Sequence, residues 1–508
     1  MFVIFVGCQT IINIVMKSGG STVIESFIEK DVIRQVKLIE YLYELEKLTL
    51  REVAKRLQVT TNTVKRDFGK VVLILEEQIE FSEITSTTIS IIFNSSYTRY
   101  DLIKTIYRDS YFLKTCAYYL LGESDYLTLV EAEFISVAKA FTIKKQVENY
   151  FKAAGIMDEN NGFIDNEIRY RLVLISVWMR CDVLDKLIVS DKYKTATIFV
   201  DQVLFKFANG YEKNKREYQF LLLNTYLSLS RFKDFSLVYE KEAITYLKNT
   251  PTFQQLMDVN ELILTKEQLP ETEIQYLASI YKTIPLNTSN YLIVEMNYQR
   301  ERELMIEKNF MVRQLIKDFE NEFGTDLFNH ILFEKPFMNF IYSLWQETQA
   351  FSVEKHFYLS DQQLLIAERI QQVLKSWQKH FHLKTEVTFN QTALEKLCSQ
   401  VTVSLMQKRT PKFVFFFVAE DELSHTIYRE NLKRWLNSDY TIMDSTMYYS
   451  LDELPIYVKD WPSIVICERS LKYDFTIPES LTFFPISRNS ILEDTKHILS
   501  YVYNWKTE

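Results

Sequence analysis

Glycine and proline are scarce in this chain of 508 residues, which contains only nine of each. Together they fall far below the roughly 12% combined share that is usual in proteins, so few tight turns and few helix breakers are available. Because 47% of the residues are apolar and 25% are charged, general disorder is excluded. The composition predicts a mainly α-helical protein, and the length suggests about three to five domains.

Clustered cysteines are also lacking. The five cysteines are scattered along the chain without a Cys-x-x-Cys pair or a combined His/Cys cluster. This spacing argues against a zinc site and a disulfide framework, and it indicates a reducing compartment. No catalytic constellation is recognisable, so we expect no enzymatic activity, no metal and no cofactor.

Long apolar runs are limited to Phe2 to Met16. This run is shorter than the roughly 20 residues needed to cross a bilayer, and no basic segment precedes it. We interpret residues 1–15 as an upstream extension with Met16 as a possible start, although a signal or anchor is the alternative. The remaining sequence predicts no membrane association and a cytoplasmic location.

The stretch LTLREVAKRLQVTTNTVKRDF, Leu48 to Phe68, has the pattern of a helix-turn-helix. The apolar residues Val32, Val36, Ile39 and Tyr43 recur three and four apart, which predicts a helix before it with these residues on one buried face. Thr49 and Glu52 have capping-box spacing and predict the start of a second helix. Thr60 is then suited to cap a third helix after a short turn.

The third helix has an apolar side and a polar side. Val64, Phe68 and Leu75 mark the side that is predicted to face the core. The opposite side presents donors for phosphate oxygens and base edges. The predicted DNA-binding residues of this unit are Thr60, Thr61, Asn62, Thr63, Lys65, Arg66 and Lys70.

This basic stretch lies in an acidic chain. From Thr49 to Val72 the local charge is +4, whereas the whole chain carries -8, so the remainder carries -12. Charges farther away than a Debye length of about 8 Å are largely screened at physiological salt. An acidic protein can therefore contain a basic DNA-binding surface, although an ordinary solvated helix face would show the same charges.

A hairpin and a second unit are expected to follow. Apolar and polar residues alternate from Ile79 to Phe93, and the stretch is rich in Thr and Ile, which predicts two short wing strands.

A second unit is predicted in residues 97–171, where the capping-box spacing of Thr128 and Glu131 predicts a helix start. A second DNA-reading helix is predicted from Thr142, and its inward residues are Phe141, Val147, Tyr150 and Phe151. Its candidate DNA-binding residues are Lys144, Lys145, Asn149 and Lys152. The alternative is a lysine-rich helical linker domain.

Two such units at the start of a chain of this length resemble the Mga family of transcription regulators from Gram-positive bacteria. The residues that carry the resemblance are LTLREVAKRLQVTTNTVKRDF, VAKAFTIKKQVENYF and GFIDNEIRYRLVLISVW. It implies a mainly α multidomain fold with two winged helix-turn-helix units, two helical regulatory domains of the sugar phosphotransferase system (PRD-like domains) and a small α/β domain like EIIB of that system. The implied boundaries are 17–96, 97–171, 172–285, 286–411 and 412–508.

Histidines limit which regulation the resemblance implies. All six lie at or after position 330, so the first regulatory domain contains no histidine that could be phosphorylated. In its TEIQYLASIY stretch, Ile280 stands where related domains place a histidine. DLFNHILF in the second domain resembles a phosphorylation site, which makes His330 and His356 candidates. A histidine satisfied inside a helix bundle is the alternative for His330.

The tail from residue 412 alternates short apolar runs with helical stretches, which predicts a small parallel α/β sheet. The resemblance to EIIB implies an active cysteine in the loop after the first strand. Here that loop is AEDELS, Ala419 to Ser424, with no cysteine and with two carboxylates that would repel phosphate. We expect Cys467 to be a buried apolar residue. The family implies self-association through this domain.

Taken together, these features predict a homodimeric transcription regulator that binds double-stranded promoter DNA, with activation favoured over repression. The resemblance implies that the histidine carrier protein of the sugar phosphotransferase system is a possible partner. The alternative function is a carrier or enzyme of the phosphotransferase relay in which the helix-turn-helix regions only pack.

Overall fold

A computed structural model describes most of the chain. The described residues are 23–207, 215–239, 247–248, 250–265, 268–284, 291–345, 348–351, 355–380, 390–406, 413–436, 441–455, 458, 462–471 and 482–504. The predicted upstream extension, residues 1–15, and the predicted boundary at 285/286 lie outside them. Helices account for 67% of the structure, which confirms the mainly α-helical class. No described helix is long and apolar enough to span a membrane.

The N-terminal domain, residues 30–93, combines three helices with a small sheet. Its elements are α1 (Lys30–Leu45), β1 (Lys47–Thr49), α2 (Leu50–Arg56), α3 (Thr61–Ile74), β2 (Ile79–Ile84) and β3 (Thr88–Phe93). The strands are antiparallel in the order β1-β3-β2, so the hairpin predicted from the alternating residues is present. The side chains of Thr49 and Thr60 accept the backbone amides of Glu52 and Thr63, which confirms the predicted starts of α2 and α3.

Helix α1 buries two apolar stripes rather than one. Val32, Val36 and Ile39 belong to the large core of the helical region, whereas Leu38 and Leu42 belong to the core of the N-terminal domain. The prediction that Tyr43 is buried is wrong, since its side chain is exposed. A helix with two apolar stripes cannot be assigned one inward face from residue spacing.

The helical region that follows consists of fourteen named helices in the described residues. They are α4 (Arg99–Tyr107), α5 (Tyr111–Leu120), α6 (Tyr126–Glu133), α7 (Val137–Ala153), α8 (Glu167–Trp178), α9 (Ser190–Phe207), α10 (Lys215–Arg231), α11 (Pro251–Ile263), α12 (Glu271–Lys282), α13 (Tyr291–Arg302), α14 (Phe310–Phe323), α15 (Ile331–Trp345), α16 (Asp361–His380) and α17 (Gln391–Met406). One hydrophobic core runs from Ile24 to Tyr281 and also includes Phe351. This core contains residues on both sides of the predicted boundaries at 96/97 and 171/172, which stay predictions.

A buried ion cluster joins α8 to the helices after it. Both Nη atoms of Arg171 donate to Glu273 on α12, at 2.6 and 2.9 Å, and its Nε donates to Glu167 at 2.7 Å. Arg231 on α10 donates to the same Glu167 carboxylate at 2.6 Å. Because buried charges are stable only when they are paired and hydrogen-bonded, this cluster fixes the position of α8 against α10 and α12.

Two predictions for the second unit are wrong. Helix α6 begins at Tyr126 with Asp125 as its cap, so Thr128 lies inside the helix and does not begin a capping box. Phe141 on α7 is exposed rather than inward, although Val147, Tyr150 and Phe151 are fully buried as predicted. In α6, the Asp125 side chain accepts the Leu127 amide at 3.0 Å. The helix cap therefore lies three residues before Thr128, the position at which the sequence pattern placed it.

The C-terminal compact unit consists of Met406–Glu508 together with Gly324–Asp326. Its described elements are β4 (Phe413–Val418), α18 (Glu422–Lys433), β5 (Thr441–Met443), β6 (Ser463–Glu468), β7 (Thr482–Ile486) and α19 (Ile491–Asn504). All strand pairs are parallel, in the order β5-β4-β6-β7, which confirms the predicted α/β sheet. Alternate β4 residues face two separate hydrophobic clusters, so both faces of the sheet are covered.

Gly69 weakens helix α3 without a packing reason. A Cβ atom added at this position would have no neighbour within 4 Å. Because an exposed glycine in a helix costs roughly 0.5–1 kcal/mol relative to alanine, Gly69→Ala should slow hydrogen exchange of the α3 amides about two- to five-fold. Gly122→Ala is the contrasting variant: Gly122 has φ +87°, so the added methyl group should destabilise the fold. Equal effects of the two substitutions would contradict this prediction.

Candidate nucleic-acid interface

The polar side of helix α3 is open to solvent. Thr61, Asn62 and Arg66 are exposed along it, and Lys65 is half-buried beside them. Within the described residues, Lys65 and Arg66 form no ion pair, so both charges are available to a ligand. Thr60 and Thr63 serve the cap: their hydroxyl oxygens lie 3.0 Å apart, and Thr60 also accepts the Thr63 amide.

The only carboxylate of helix α3 points away from this face. Asp67 is 1% exposed, and its Oδ2 accepts a hydrogen bond from Arg34 Nε on α1 at 2.7 Å. Arg34 Nη2 donates to the other oxygen at 3.3 Å, and the bonded carboxylate raises the pKa of Arg34. The negative charge is thereby neutralised inside the domain, and the outward side of α3 is purely cationic.

Within the part of the chain that the structure describes, Lys70 is the one predicted basic residue of this helix that has a carboxylate partner. Its ammonium lies 3.2 Å from Asp31 on α1, and both side chains are exposed. Although partial burial opposes it, the hydrogen bond and charge of Lys70 hold the pKa of Asp31 below its ordinary value. The free cationic surface therefore lies nearer the N-terminal end of α3, at Lys65 and Arg66.

The hairpin offers no cation to a nucleic acid. No lysine or arginine occurs between Lys70 and Arg99, whereas four glutamates at positions 76, 77, 80 and 83 are exposed. Exposed Phe81 and Ile92 face each other across the two strands. A phosphate backbone would be repelled by this surface.

Three basic residues of helix α2 differ in their availability. Arg51 is exposed in the first turn and has no ion pair among the described residues, so its charge is also available to a ligand, although sequence reasoning did not include it among the DNA-binding residues. Lys55 and Arg56, in the last turn, both contact Asp361 at the start of α16, at 3.3 and 3.2 Å. They are therefore held by the helical region.

The second unit presents a weaker cationic surface. Helices α6 and α7 are joined by a tight turn in which Phe134 has φ 52° and is 94% exposed. On α7, Lys145 and Asn149 are exposed and unpaired among the described residues. Lys144 lies 3.9 Å from Glu148, and Lys152 lies 3.8 Å from Glu159. Of the four predicted residues, Lys145 and Asn149 are thus open to a ligand, whereas Lys144 and Lys152 are neutralised by glutamates.

The expected wing of the second unit is not a two-stranded hairpin in the described residues. They contain a single antiparallel bridge there, between Met157 and Phe163.

The two candidate histidines occupy different environments. His330 is half-buried just before α15, where its carbonyl oxygen accepts the Phe333 and Glu334 amides and so starts the helix. His356 is 3% exposed, and burial lowers its pKa well below the ordinary value, as do nearby cations. Ile280, which stands where related domains place a histidine, is buried in α12.

In the C-terminal unit, the loop after β4 is occupied by its own side chains. Asp421 accepts the Ser424 amide at 2.8 Å and caps α18, and it pairs with Arg488 at 2.6 Å. A carboxylate therefore stands where the helix N-terminus could otherwise attract a phosphate. Cys467 is fully buried, which confirms the prediction made for it.

Comparison with known families finds a match at the N-terminal domain. Residues 29–86 match the family described as M protein trans-acting positive regulator (MGA) HTH domain. These residues span α1 to β2 and so include Lys65 and Arg66. The match supports a DNA-binding transcription regulator similar to this family over that domain. Comparison with curated proteins finds no match.

Two ion pairs join α1 to α3, and they predict unequal effects on stability. Arg34→Ala leaves the buried Asp67 carboxylate without its cation and should destabilise the N-terminal domain by roughly 3 kcal/mol. Hydrogen exchange of the α1 and α3 amides measures this loss. Lys70→Ala is the matched control, because it removes an exposed pair between the same helices and should cost less than about 1 kcal/mol. A smaller loss for Arg34→Ala than for Lys70→Ala would contradict the assignment.

Proposed function

We propose that the chain is a transcription regulator that binds double-stranded promoter DNA through helix α3. The observation that carries this proposal is the unpaired cationic side at Lys65 and Arg66, with the helix carboxylate turned inward to Arg34. A helix that follows a short turn and carries cations and amides on one side suits the major groove. The family match over residues 29–86 supports the same role.

Within this proposal, Thr60, Thr61, Asn62 and Thr63 lie at the end of α3 that enters the groove. The N-terminal residues of a recognition helix are those that reach base edges. Lys65 and Arg66 bind phosphates, and the acidic hairpin stays off the DNA. The second unit, through Lys145 and Asn149, is a weaker contact, which a protection footprint on genomic fragments would locate.

Activation of transcription is the direction that we propose. The matched family is described as a positive regulator, and this property is carried to the chain as a hypothesis.

Two-fold self-association through the C-terminal unit belongs to the same proposal, because Leu423 and Ile427 form an exposed apolar pair one turn apart on α18. A dimer would present paired α3 helices to DNA in the cytoplasm.

Neutralising the α3 cations should weaken DNA binding in a salt-dependent way. Lys65→Gln and Arg66→Gln each remove a phosphate contact, so each should lower the slope of log affinity against log salt by about one. A gel-shift titration of promoter fragments at several salt concentrations measures both quantities.

Lys375→Gln is the control for a lost surface charge, because Lys375 is exposed on α16 and has no ion pair among the described residues. The salt slope of this variant should equal that of the unmodified protein.

If the unmodified protein gives no gel shift with promoter fragments at low salt, the proposal is refuted and the alternative of a relay carrier or enzyme is favoured. The carboxylate-capped loop after β4 speaks against that alternative.

Control by the sugar phosphotransferase system is proposed at His330. A half-buried imidazole at the start of α15 can be reached by a carrier protein, and the helix N-terminus stabilises a phosphate there. His356 is a weaker candidate, because its ring is enclosed and reaching it would require the segment around it to move.

Incubation with the general histidine carrier protein and its phosphoryl donor should therefore label His330. Mass spectrometry of the intact protein measures the added phosphoryl group, and His330→Ala should abolish it whereas His356→Ala should not. Label on His425 or His497, in the C-terminal unit, would refute this assignment. Complete loss of label in His356→Ala alone would reverse the order of the two candidates.

A further inference from the structure

A short segment of the helical region lies against the N-terminal domain. This docking segment, Lys355–Asp361, is non-helical up to Ser360, ends in the first residue of helix α16 and belongs to the same compact unit as α1 and α2. At its first residue, the Lys355 ammonium lies 2.9 Å from Glu44 on α1. The next residue, His356, donates its backbone amide to Glu40 on α1 at 2.5 Å.

Glu40 makes this attachment specific. Its carboxylate is fully buried and also accepts a hydrogen bond from Arg99 on α4 at 3.0 Å. A buried carboxylate that loses a donor is costly, so the backbone of the docking segment has one favoured position on α1. The ring of Tyr358 continues the contact, meeting Tyr41 edge-on with centroids 5.1 Å apart.

The far end of the segment binds the basic end of α2. The Arg56 guanidinium lies over the Tyr358 ring, 4.3 Å from its centroid, and Asp361 pairs with both Arg56 and Lys55. Asp361 and Lys55 are each 70% exposed, so the pair between them is weak and readily exchanged for other partners, whereas the Arg56 side chain against Tyr358 is only 11% exposed. A strong buried anchor is thus combined with a weak charged contact.

We propose that the docking segment competes with DNA for Lys55 and Arg56 and thereby lowers the DNA affinity of the N-terminal domain. This inference rests on the proposed function. In helix-turn-helix proteins the first helix of the motif crosses the sugar-phosphate backbone, and α2 is that helix here. Its two C-terminal cations match phosphates in charge, but the Asp361 carboxylate occupies them.

The docking segment also links the competition to the candidate phosphorylation region. Asp361 is the first residue of α16, and α16 is tied to α14 by Arg369, which donates to Glu322 at 2.8 Å, and by Trp377, which donates to the Met311 carbonyl oxygen at 2.9 Å. On α14, Glu320 accepts the Leu327 and Phe328 amides just before His330. These contacts form a continuous packed connection between the loop at His330 and Asp361, along which a displacement of the loop would be transmitted.

Asp361→Asn is the decisive variant. It removes the competing charge from an exposed side chain, so the fold should be unaffected. Affinity for a fluorescently labelled duplex of arbitrary sequence at low salt should rise about two- to five-fold, and the salt slope should steepen by about one for each cation released. Glu368→Gln is the matched control, because it removes an exposed carboxylate from the same helix that has no ion pair among the described residues.

The outcomes separate the inference from the proposed function. If the unmodified protein binds the duplex and Asp361→Asn binds no more tightly than Glu368→Gln, the competition is refuted and the DNA-binding function stands. If no variant binds DNA at any salt concentration, the proposed function and the inference both fail.

Hydrogen exchange gives a second readout that needs no substitution. The His356 amide is protected by Glu40 only while the segment is docked. Saturating DNA should speed its exchange, because competition between two ligands is reciprocal. Unchanged or slower exchange at His356, with α3 amides protected by the same DNA, would overturn the proposal.

Discussion

The ion pair between Arg34 and Asp67 determines which side of helix α3 faces solvent. Asp67 lies among three cations in the helix, and without a partner inside the domain its carboxylate would be stable only at the surface. Arg34 supplies that partner from α1. The helix can therefore bury Val64 and Phe68 on the same side as Asp67 and leave Lys65 and Arg66 outside. The candidate DNA-binding surface depends on this arrangement.

Helix α1 connects the interface to the rest of the compact unit. One of its apolar stripes packs in the domain that carries α3, and the other packs in the core of the helical region. Its polar residues also contact both regions. Arg34 pairs with Asp67 on α3, whereas Glu40 pairs with Arg99 and accepts the His356 amide of the docking segment. Since packed cores do not deform continuously, a shift of the docking segment is expected to be transmitted as a discrete rearrangement rather than absorbed locally.

Sequence patterns predicted the positions of helices and strands better than the tertiary contacts between them. The helix starts at Thr49 and Thr60, the hairpin and the parallel sheet depend on local capping or on residue alternation, and these features appear in the structure. Tyr43 and Phe141 were misplaced because a helix that packs against two neighbours does not follow a single apolar spacing. The contact between Arg56 and Asp361 joins residues 305 positions apart, and no local pattern in a single sequence can indicate it.

Electrostatics also bears on how an acidic chain could confine DNA to one surface. Asp361 lies within 3.3 Å of two cations of α2, well inside a screening length of about 8 Å, and four exposed glutamates lie in and just before the hairpin. These glutamates are unpaired among the described residues, so they would repel a phosphate backbone. Asp361 differs because it is paired with cations and, in the proposed competition, gives them up to DNA. Under the proposed function, the glutamates would therefore restrict where DNA binds, and Asp361 would set how tightly.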